Sequence, residues 1–502
     1  MLLGIDISTT GAKAVLINTQ GQMLHASSHP YPISTPRPLW SEQNPEDWWQ
    51  AAIASIQDVL SKPGVEPGKI KSIGLTGQMH GLVLLDAQDQ VLRPAILWND
   101  QRTADACEIL AEQIGLDQLI NITGNPALTG FTAPKLLWVR EHEPKIYQRI
   151  AHILLPKDFI RFKLSGDTAV DCADASGTSL FDITQRAWSQ EILSTLEIKT
   201  EWLPSVYEGT EITGVVSPKG AKLTGLKAGT PIVGGGGDQA AQAVGVGAVT
   251  PGIVAVTLGT SGVVFAPTRS PVIDPQGRLH AMCHSLPPGE DQGWHLMGVM
   301  LSAGGSLQWL RDTLAPELDY PKLTESAGEV PPGSEGLIFL PYLTGERTPH
   351  PDPFARGCFI GLTPRHRLAH MTRAVLEGVG FGLRDSMELL KQTGLNEIRQ
   401  VRLSGGGAQS SLWRQILSDI MDVEIVTVNA TEGASYGAAL LAGVGVGVWP
   451  NVKEACQATV QSQTRTKPNA EHLPVYDSYY EDYTRLYPSL KETFKSLTTK
   501  SL

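Results

Sequence analysis

The sequence predicts an α/β fold of two domains that face each other across a central cleft. Two segments carry this prediction, because each contains an apolar strand, a turn of glycine and hydroxyl residues, and an apolar return strand. They lie at residues 2–17 and 252–265. The 502 residues exceed the size at which a single core stops growing. One such unit in each half therefore predicts two similar domains, residues 1–245 and 246–502.

Composition and charge exclude several classes of protein. Apolar residues make up 41% of the chain and charged residues 18%, the balance of an ordinary globular protein. The net charge of −11 argues against a nucleic-acid partner, because a phosphate backbone requires a basic surface. The five cysteines show no metal-ligand spacing, which favours free thiols in a reducing cytoplasm. The chain begins with an apolar strand instead of a basic signal segment, so we expect a cytoplasmic location.

One uncharged run, residues 244–267, is long enough to span a bilayer. Pro251 and several glycines interrupt it, and hydrocarbon would leave the irregular backbone without hydrogen-bond partners. We therefore expect a turn and two buried strands here, and no membrane partner.

The first domain opens with its strand–turn–strand unit, and a helix follows from about Pro45, where Trp48, Trp49 and Ile53 mark an apolar face. Later apolar runs end in glycine or polar residues, which is where open α/β sheets place ligand groups. The remaining elements expected in this domain are strands Ile70–Thr76, Ala95–Trp98 and Pro231–Val233 and helices Pro134–Glu141 and Asp238–Val246.

The second domain repeats this order from about Val249. A strand at Arg399–Leu403 leads through a glycine turn into a helix at Ser411–Met421. Small residues predict a second, closely packed helix at Gly433–Val444. The tail from about Asp477 has tyrosine and leucine at helical spacing, which predicts a packing helix that Pro488 kinks or restarts.

The turns of the two strand–turn–strand units are suited to phosphate. They present backbone N–H groups and hydroxyls with no bulky side chain nearby. Asp6 comes just before the first turn, where a carboxylate could hold a divalent cation or only cap the turn. The presence of a second turn favours the cation, because two such turns would hold a polyphosphate from two sides. The candidate ATP-binding residues here are Thr9, Thr10, Gly259, Thr260 and Ser261.

Asp238 follows four glycines, Gly234–Gly237. A carboxylate beside a backbone without side chains can accept a proton from a substrate hydroxyl. An ordinary carboxylate pKa suffices for this, because the proton leaves late in a loose phosphoryl transition state. The alternative is an aspartate that caps a helix, a role compatible with catalysis.

A second glycine-rich turn connects a strand to a helix at Ser404–Ser410. Its glycines would let a flat ring lie on the backbone, and the helix that follows attracts negative charge. The alternative is simply a tight turn. The candidate nucleotide contacts are Gly406, Gly407, Ala408 and Ser410.

A group of residues after two strands of the first domain suits a sugar. His80 is bracketed by glycines at a strand end, which favours a hydrogen-bond donor to a sugar over an ordinary packed or surface histidine. Trp98 begins a run with an aromatic face and several polar groups, which fits a sugar or an ordinary surface turn. The candidate substrate-binding residues are Gln78, Met79, His80, Trp98, Asn99, Asp238 and Gln239.

Two longer motifs resemble signatures of the FGGY family of carbohydrate kinases. They are the segments Gly130–His142 and Gly357–Glu377. The similarity extends over nearly the whole chain, from Asp6 to the tyrosine-rich tail. It implies two actin/Hsp70/hexokinase-like domains, of the ribonuclease H-like type, around a central cleft.

Within the family, the segments Gly77–Gly81 and Trp98–Asp100 and the glycine run before Asp238 are most similar to kinases of pentuloses. The resemblance implies ATP- and magnesium-dependent phosphoryl transfer to the 5-hydroxyl of D-xylulose. The roles that it implies are general base for Asp238, magnesium placement for Asp6, sugar contacts for Met79 and His80, phosphate contacts around Thr260, and adenosine contacts from Gly406 to Ser410.

Gln239 departs from the family pattern, because many pentulose kinases have asparagine there, and this leaves the preference among ketoses open. Glycerol kinases have an Arg-Glu pair where this chain has Met79 and His80, which argues against glycerol. The alternatives are a family kinase for gluconate, ribulose or a deoxy-ketose, a non-catalytic ATP-driven clamp of the Hsp70 kind, and a sugar-binding module without transfer. The residues give no oligomeric state, and the family alone implies a homodimer.

Overall fold

The computed structural model describes residues 1–289, 293–430 and 432–501, which form two seven-stranded sheets flanked by helices and small two-stranded ribbons. In the N-terminal half the strands are β1 (Leu2–Ile7), β2 (Gly11–Ile17), β3 (Met23–Pro30), β4 (Glu42–Gln43), β5 (Ser72–Gly77), β6 (Val83–Leu85), β7 (Ala95–Ile96), β8 (His152–Leu154), β9 (Ala169–Asp171), β10 (Phe181–Asp182), β11 (Ala187–Trp188), β12 (Ser205–Tyr207), β13 (Ile212–Val215), β14 (Pro231–Val233) and β15 (Gly236–Gly237). The helices are α1 (Pro45–Leu60), α2 (Ala104–Ile114), α3 (Leu116–Thr123), α4 (Thr132–His142), α5 (Pro144–Tyr147), α6 (Pro156–Ser165), α7 (Cys172–Ala175), α8 (Gln190–Thr195), α9 (Pro218–Thr224) and α10 (Asp238–Gly245).

The C-terminal half has a second set of elements. Its strands are β16 (Ile253–Leu258), β17 (Gly262–Thr268), β18 (His280–Cys283), β19 (Trp294–Met300), β20 (Ile338–Leu340), β21 (Cys358–Ile360), β22 (Gln400–Ser404), β23 (Glu424–Val428) and β24 (Ser462–Thr466). Its helices are α11 (Gly304–Leu314), α12 (Tyr320–Ala327), α13 (Leu368–Gln392), α14 (Ser411–Met421), α15 (Gly433–Gly445), α16 (Val452–Thr459) and α17 (Leu473–Ser501).

The two large sheets share a central arrangement. In the N-terminal sheet the order is β13-β14-β5-β1-β2-β3, and β15 also pairs with β5. In the C-terminal sheet the order is β18-β19-β17-β16-β22-β23-β24. Each sheet has an antiparallel hairpin, β1–β2 or β16–β17, whose first strand pairs in parallel with a strand from later in the same half. Both hairpin turns and the ends of both parallel neighbours thus lie at one edge of their sheet, where α/β proteins bind ligands.

Two helices connect the halves by packing on the opposite sheet. Ala240 of α10 packs with Ala255 and Phe265 of the C-terminal sheet. In return, α15 lies on β1 and β5, so closely that a Cβ atom added at Gly4 or Gly74 would be 1.9 Å from a carbonyl oxygen of α15. Glycine is required at both positions because any side chain would displace the helix.

The structure confirms most of the elements predicted from the sequence. The helix at Ser411–Met421 has the predicted bounds, and the uncharged run forms the end of α10 followed by the hairpin β16–β17. Nowhere in the described residues is there a helix with the length and apolarity needed to cross a membrane. The strand predicted at Ala95–Trp98 ends earlier, at Ile96, because the N–H of Leu97 bonds to the carbonyl of Ser41 and the chain then turns.

Of the two alternatives predicted for Pro488, a kink or a restart of the tail helix, the restart was wrong. The helix α17 begins at Leu473, earlier than predicted, and continues through Pro488 to Ser501. Buried Tyr483 and Phe494 pack against the core on both sides of the proline. Packing of this inner face outweighs the loss of one backbone hydrogen bond at the proline.

Candidate functional site

The turn of the first hairpin is supported from two sides. The carbonyl of Thr9 accepts a hydrogen bond from the side chain of Gln43 at 2.8 Å, and its hydroxyl accepts one from the indole of Trp98 at 3.0 Å. Thr10 is exposed at the tip of the turn. A predicted phosphate ligand, Thr9, is thus bonded directly to a predicted sugar ligand, Trp98, so the two binding regions are contiguous.

The turn of the second hairpin is supported by the start of α11. The carbonyls of Gly259 and Thr260 accept hydrogen bonds from the N–H groups of Gly304 and Gly305 at 2.8 and 3.0 Å. Because its carbonyls are engaged with the helix, the turn is held rigidly, and the Thr260 side chain stays exposed. Ser261 is partly exposed beside it.

Next to this turn is a cavity of about 990 Å³, a size suited to a nucleotide. Of the predicted ATP-binding residues, Gly259, Thr260, Gly406, Gly407 and Ser410 line it. Ala408 is buried in the same turn, and the Ser410 hydroxyl caps α14 by accepting from the N–H of Trp413 at 3.3 Å. The apolar part of the wall is formed by Leu307, Tyr320, Pro321, Leu412 and Trp413.

The two predicted acidic residues come from neighbouring strands of the N-terminal sheet. Asp6 on β1 is in register with Thr76 on β5, and Thr76 is in register with Gly236 on β15. Asp238 follows directly, as the first residue of α10. The sheet therefore brings the two carboxylates to the same edge.

The environment disfavours the charged form of both carboxylates. Burial, and then the charge of Asp238, raise the pKa of Asp6 to about 7, against the opposing charge of Lys13. Burial also raises the pKa of Asp238 to about 6, partly offset by hydrogen bonds from Gln239, whose amide donates to Oδ1 at 3.3 Å. Neighbouring carboxylates with raised pKa values are typical of a catalytic site.

The loop before Asp238 needs glycine for steric reasons. A Cβ atom at Gly235, whose φ is 72°, would lie 1.8 Å from the carbonyl oxygen of Leu75. One at Gly236 would lie 1.9 Å from the hydroxyl of Ser285. The backbone of these glycines is not exposed, as their sequence predicts, but buried against neighbouring parts of the chain.

Arg161 holds the start of this loop and was missed by the sequence analysis. Its guanidinium donates to the carbonyls of Val233 at 2.8 Å and Gly234 at 2.6 Å. It belongs to a fully buried charge cluster that also contains Lys157, Asp158, Asp171 and Asp174. No periodicity in the sequence marks an arginine on a short helix as the support of a loop some 70 residues later.

His80 has strained backbone, with φ at 69°, in a region that non-glycine residues seldom adopt. Two residues of the first family signature stabilise this conformation: Lys135 and Thr132 donate to the His80 carbonyl at 2.8 and 3.1 Å. The His80 ring stacks on Phe131, with centroids 4.3 Å apart. The signature thus has a physical role, which is to hold His80 in its strained geometry.

The predicted donor role of His80 needs correction. Its Nδ1 lies 2.7 Å from the carbonyl of Gly177, which can only accept, so Nδ1 carries the proton. Burial lowers the pKa of His80 to about 3, so the ring is neutral and Nε2 has no proton to donate. His80 can therefore accept a hydrogen bond from a sugar hydroxyl but cannot donate one.

The other predicted sugar residues separate into two groups. Met79 lies against the glycine loop, since its Sδ would be 2.9 Å from a Cβ atom at Gly237. Asn99 is exposed and Trp98 partly exposed. Gln78, by contrast, is buried and donates to the side chain of Gln43 at 3.0 Å, so it supports the first hairpin from behind.

Comparison with known proteins agrees with this geometry. The model of the N-terminal domain of the FGGY family of carbohydrate kinases matches residues 1–245, and that of the C-terminal domain matches residues 254–446. A xylulose kinase from Escherichia coli strain K12 is 42% identical over 491 residues, which are 98% of this chain and 99% of that protein.

Solved structures give the same result. The crystal structure of a xyloylose kinase from Brucella ovis has a TM-score of 0.92 and 38% identity, with 98% of this chain and 99% of that chain covered. A gluconate kinase from Lactobacillus acidophilus also has a TM-score of 0.92, at 29% identity, with 99% of each chain covered.

Proposed function

The chain is a member of the FGGY family of carbohydrate kinases, with the family's two-domain actin- and hexokinase-like fold, and from this premise we propose that it phosphorylates D-xylulose. The reaction transfers the terminal phosphoryl group of ATP to the 5-hydroxyl and gives D-xylulose 5-phosphate, a step of pentose catabolism. The observation that carries the proposal is the carboxylate of Asp238 beside that of Asp6, at the sheet edge where the first phosphate turn lies.

Asp238 acts as the general base in this proposal. It accepts the proton of the 5-hydroxyl as the sugar oxygen bonds to phosphorus and the bond to the leaving ADP oxygen breaks. Its pKa of about 6 leaves it ionised at neutral pH while making it a stronger base than an exposed aspartate. Arg161 keeps the base in place through the loop carbonyls that it binds.

Asp6 is the residue that fits a magnesium ion. Its Oδ1 is buried without a hydrogen-bond partner among the described residues, and a cation there would offset the repulsion from Asp238. The described residues contain no group of three or more His, Cys, Asp or Glu side chains that could hold a metal alone. A magnesium ion here would be held by Asp6 together with phosphate oxygens of ATP. Bound there, the ion neutralises charge on the phosphates.

The nucleotide fits the cavity of the C-terminal half. ATP is the phosphoryl donor of the family. Gly406, Gly407, Ala408 and Ser410 surround adenosine in this proposal. Thr9, Thr10, Gly259, Thr260 and Ser261 bind the phosphates at the two turns.

The sugar lies on Met79, His80, Trp98 and Asn99, with its 5-hydroxyl at Asp238. The amide of Gln239 donates a hydrogen bond to the carboxylate of Asp238. In this proposal the side chain of Gln239, which is longer than the asparagine of many pentulose kinases, contacts both the general base and the ketose. The high structural similarity to a gluconate kinase keeps gluconate as the second candidate substrate. We further propose a cytoplasmic homodimer without a nucleic-acid or membrane partner, which the family and the acidic charge support.

A coupled assay of ADP release over a panel of sugars tests the function. The panel contains D-xylulose, D-ribulose, 1-deoxy-D-xylulose, gluconate and glycerol, with a peptide mixture to test for a clamp. We expect D-xylulose to have the highest kcat/KM. Release stimulated best by gluconate, or only by peptide, would refute the proposal.

The variant Asp238→Asn tests the base. We expect correct folding and a loss of turnover on the order of 100-fold or more, because the hydroxyl proton loses its acceptor. Asp167→Asn, which removes an exposed carboxylate of the same half, is the matched control and should keep normal turnover. Near-normal turnover of Asp238→Asn would defeat the assignment.

A further inference from the structure

The hydrogen-bond donors around His80 are already engaged. Nδ1–H of His80 is bonded to Gly177, the amine of Lys135 and the hydroxyl of Thr132 are bonded to the His80 carbonyl, and the indole N–H of Trp98 is bonded to Thr9. A ketose carbonyl can only accept hydrogen bonds. Apart from the exposed amide of Asn99, a donor for that end of the sugar has to come from another part of the chain.

The side chain of Arg347, from the C-terminal half, lies close to Gly130 and Trp98 in the predicted sugar site. Its Nη2 would lie 3.9 Å from a Cβ atom at Gly130, whose other near neighbour is the carbonyl oxygen of Trp98 at 2.3 Å. Within the described residues, the guanidinium has no hydrogen bond or ion pair, and the side chain is only partly exposed. An arginine that projects toward a sugar pocket with all five N–H groups free is an unusual arrangement, because it gives up ion pairing without full hydration.

The backbone on both sides of Arg347 is anchored. Its N–H donates to Oε1 of the preceding Glu346 at 2.7 Å, and the same oxygen accepts from the N–H of Leu301 at 2.9 Å. Thr348 exchanges two hydrogen bonds with Val299 of β19, at 3.0 and 3.1 Å. The guanidinium therefore extends from a backbone that is held in place on both sides, which is a condition for precise recognition of a substrate.

His280 is a second histidine near Arg347. Its Nδ1 lies 2.7 Å from Oδ1 of Asn125, and its buried Nε2 has no partner among the described residues. Burial, and then the charge of Arg347, lower the pKa of His280 well below its usual value, so both neighbouring imidazoles stay neutral. Arg347 is thus a cationic donor close enough to two neutral rings to act on both electrostatically.

The positions of these groups give the bound sugar a direction. Asp238 acts electrostatically on Asp6, near the phosphates, whereas Arg347 acts on His80 and His280. We propose that Arg347 is a specificity-determining residue that donates hydrogen bonds to the oxygen atoms at the C1–C2 end of the ketose, while Asp238 takes the proton at the other end. This inference rests on the proposed function.

The variant Arg347→Ala tests the proposal by a split between kinetic constants. We expect the KM for D-xylulose, and its Kd measured by calorimetry without ATP, to rise about 10- to 100-fold, the effect of losing a charged hydrogen bond. The kcat should change less than about 3-fold, and the Kd for ATP should stay constant, since the nucleotide cavity is not touched. Arg347→Lys, which keeps the charge but not the planar fork, should restore part of the affinity.

Arg365→Ala is the matched control, because Arg365 is 78% exposed and its guanidinium pairs with Glu335 at the surface. Arg365→Ala should leave the kcat, the KM for D-xylulose and the Kd values for D-xylulose and ATP unchanged. A KM and a Kd for D-xylulose within about 2-fold of wild type in folded Arg347→Ala would overturn the proposal, as would an equal loss of ATP affinity. If Arg347→Ala does not fold, Arg347→Gln is judged by the same criteria.

The two proposals fail in different ways. A wild-type enzyme that does not turn over D-xylulose refutes the proposed function. A wild-type enzyme that uses D-xylulose, together with an Arg347→Ala variant of normal KM, refutes only the role of Arg347.

Discussion

The two hairpins have nearly the same backbone but different chemistry. In the first hairpin, Asp6 lies opposite Lys13 in the register of the two strands, one residue pair away from the turn. In the second, the corresponding pair is Thr257 with Val263. The first hairpin thus has a partly buried carboxylate opposite a lysine in the strand register, while the second is uncharged.

The supports of the two turns differ in the same way. The first turn is closed by its own Ser8, whose hydroxyl donates to the carbonyl of Gly11 at 2.9 Å. The second is fastened to α11 through its carbonyls and borders the nucleotide cavity. One structural motif can therefore serve two tasks. In our proposal the first hairpin handles charge close to the reacting phosphate, and the second fixes the position of the nucleotide.

The largest effect on activity is expected when the charge of Asp6 is removed. Asp6→Asn should lower kcat by about 100-fold or more, because the carboxylate that fits the magnesium ion is lost. Thr257→Val, the matched change in the second hairpin, should alter kcat by less than about 3-fold. Steady-state kinetics at several magnesium concentrations measures both, and equal effects of the two variants would remove the distinction.

The pH profile provides the next test. Both carboxylates must be ionised, and their pKa values of about 7 and about 6 mean that protons bind as the pH falls through this range. We therefore expect kcat/KM to decrease below pH 7, by about 10-fold per pH unit once one group is protonated. In Asp6→Asn the midpoint of the residual activity should move down toward pH 6. A kcat/KM that does not change between pH 5 and pH 8 would contradict the involvement of either acid.

The smallest effects should come from the threonines of the two turns. Thr9→Val removes a hydroxyl that accepts from the Trp98 indole and that we propose also binds phosphate, so it should raise the KM for the sugar and the KM for ATP by about 3- to 10-fold each. Thr260→Val should raise the KM for ATP by a similar factor and leave the sugar constant unchanged. The two variants are isosteric with the native residue, so each serves as the control of the other. A Thr9→Val variant with an unchanged KM for the sugar, or a Thr260→Val variant with a raised one, would contradict this difference between the turns.

Local sequence patterns predicted the elements that this comparison uses. The two hairpins, the glycine run before Asp238 and the helix Ser411–Met421 each have a signal within a short window, namely apolar runs, turn residues and helical spacing. These signals arise from backbone preferences, so they can be read without knowledge of tertiary contacts.

Other features depend on contacts between distant residues and have no such signal. Which nitrogen of His80 carries a proton is decided by the carbonyl of Gly177, 97 residues away. The placement of Arg347 beside Gly130 depends on how the two halves meet. The tail helix passes through Pro488 because of its packing, which local propensity does not report.

The exchange of α10 and α15 between the two sheets means that the chain cannot be dissected into two self-sufficient modules at residue 245. A fragment severed there would keep α10 without the sheet that buries it, and would leave the bare backbone of Gly4 and Gly74 open to water. Its counterpart would carry α15 as an apolar helix without a docking surface. The halves resemble each other, but each buries a helix of the other, so we expect any engineered fusion or permutation to need both helices together.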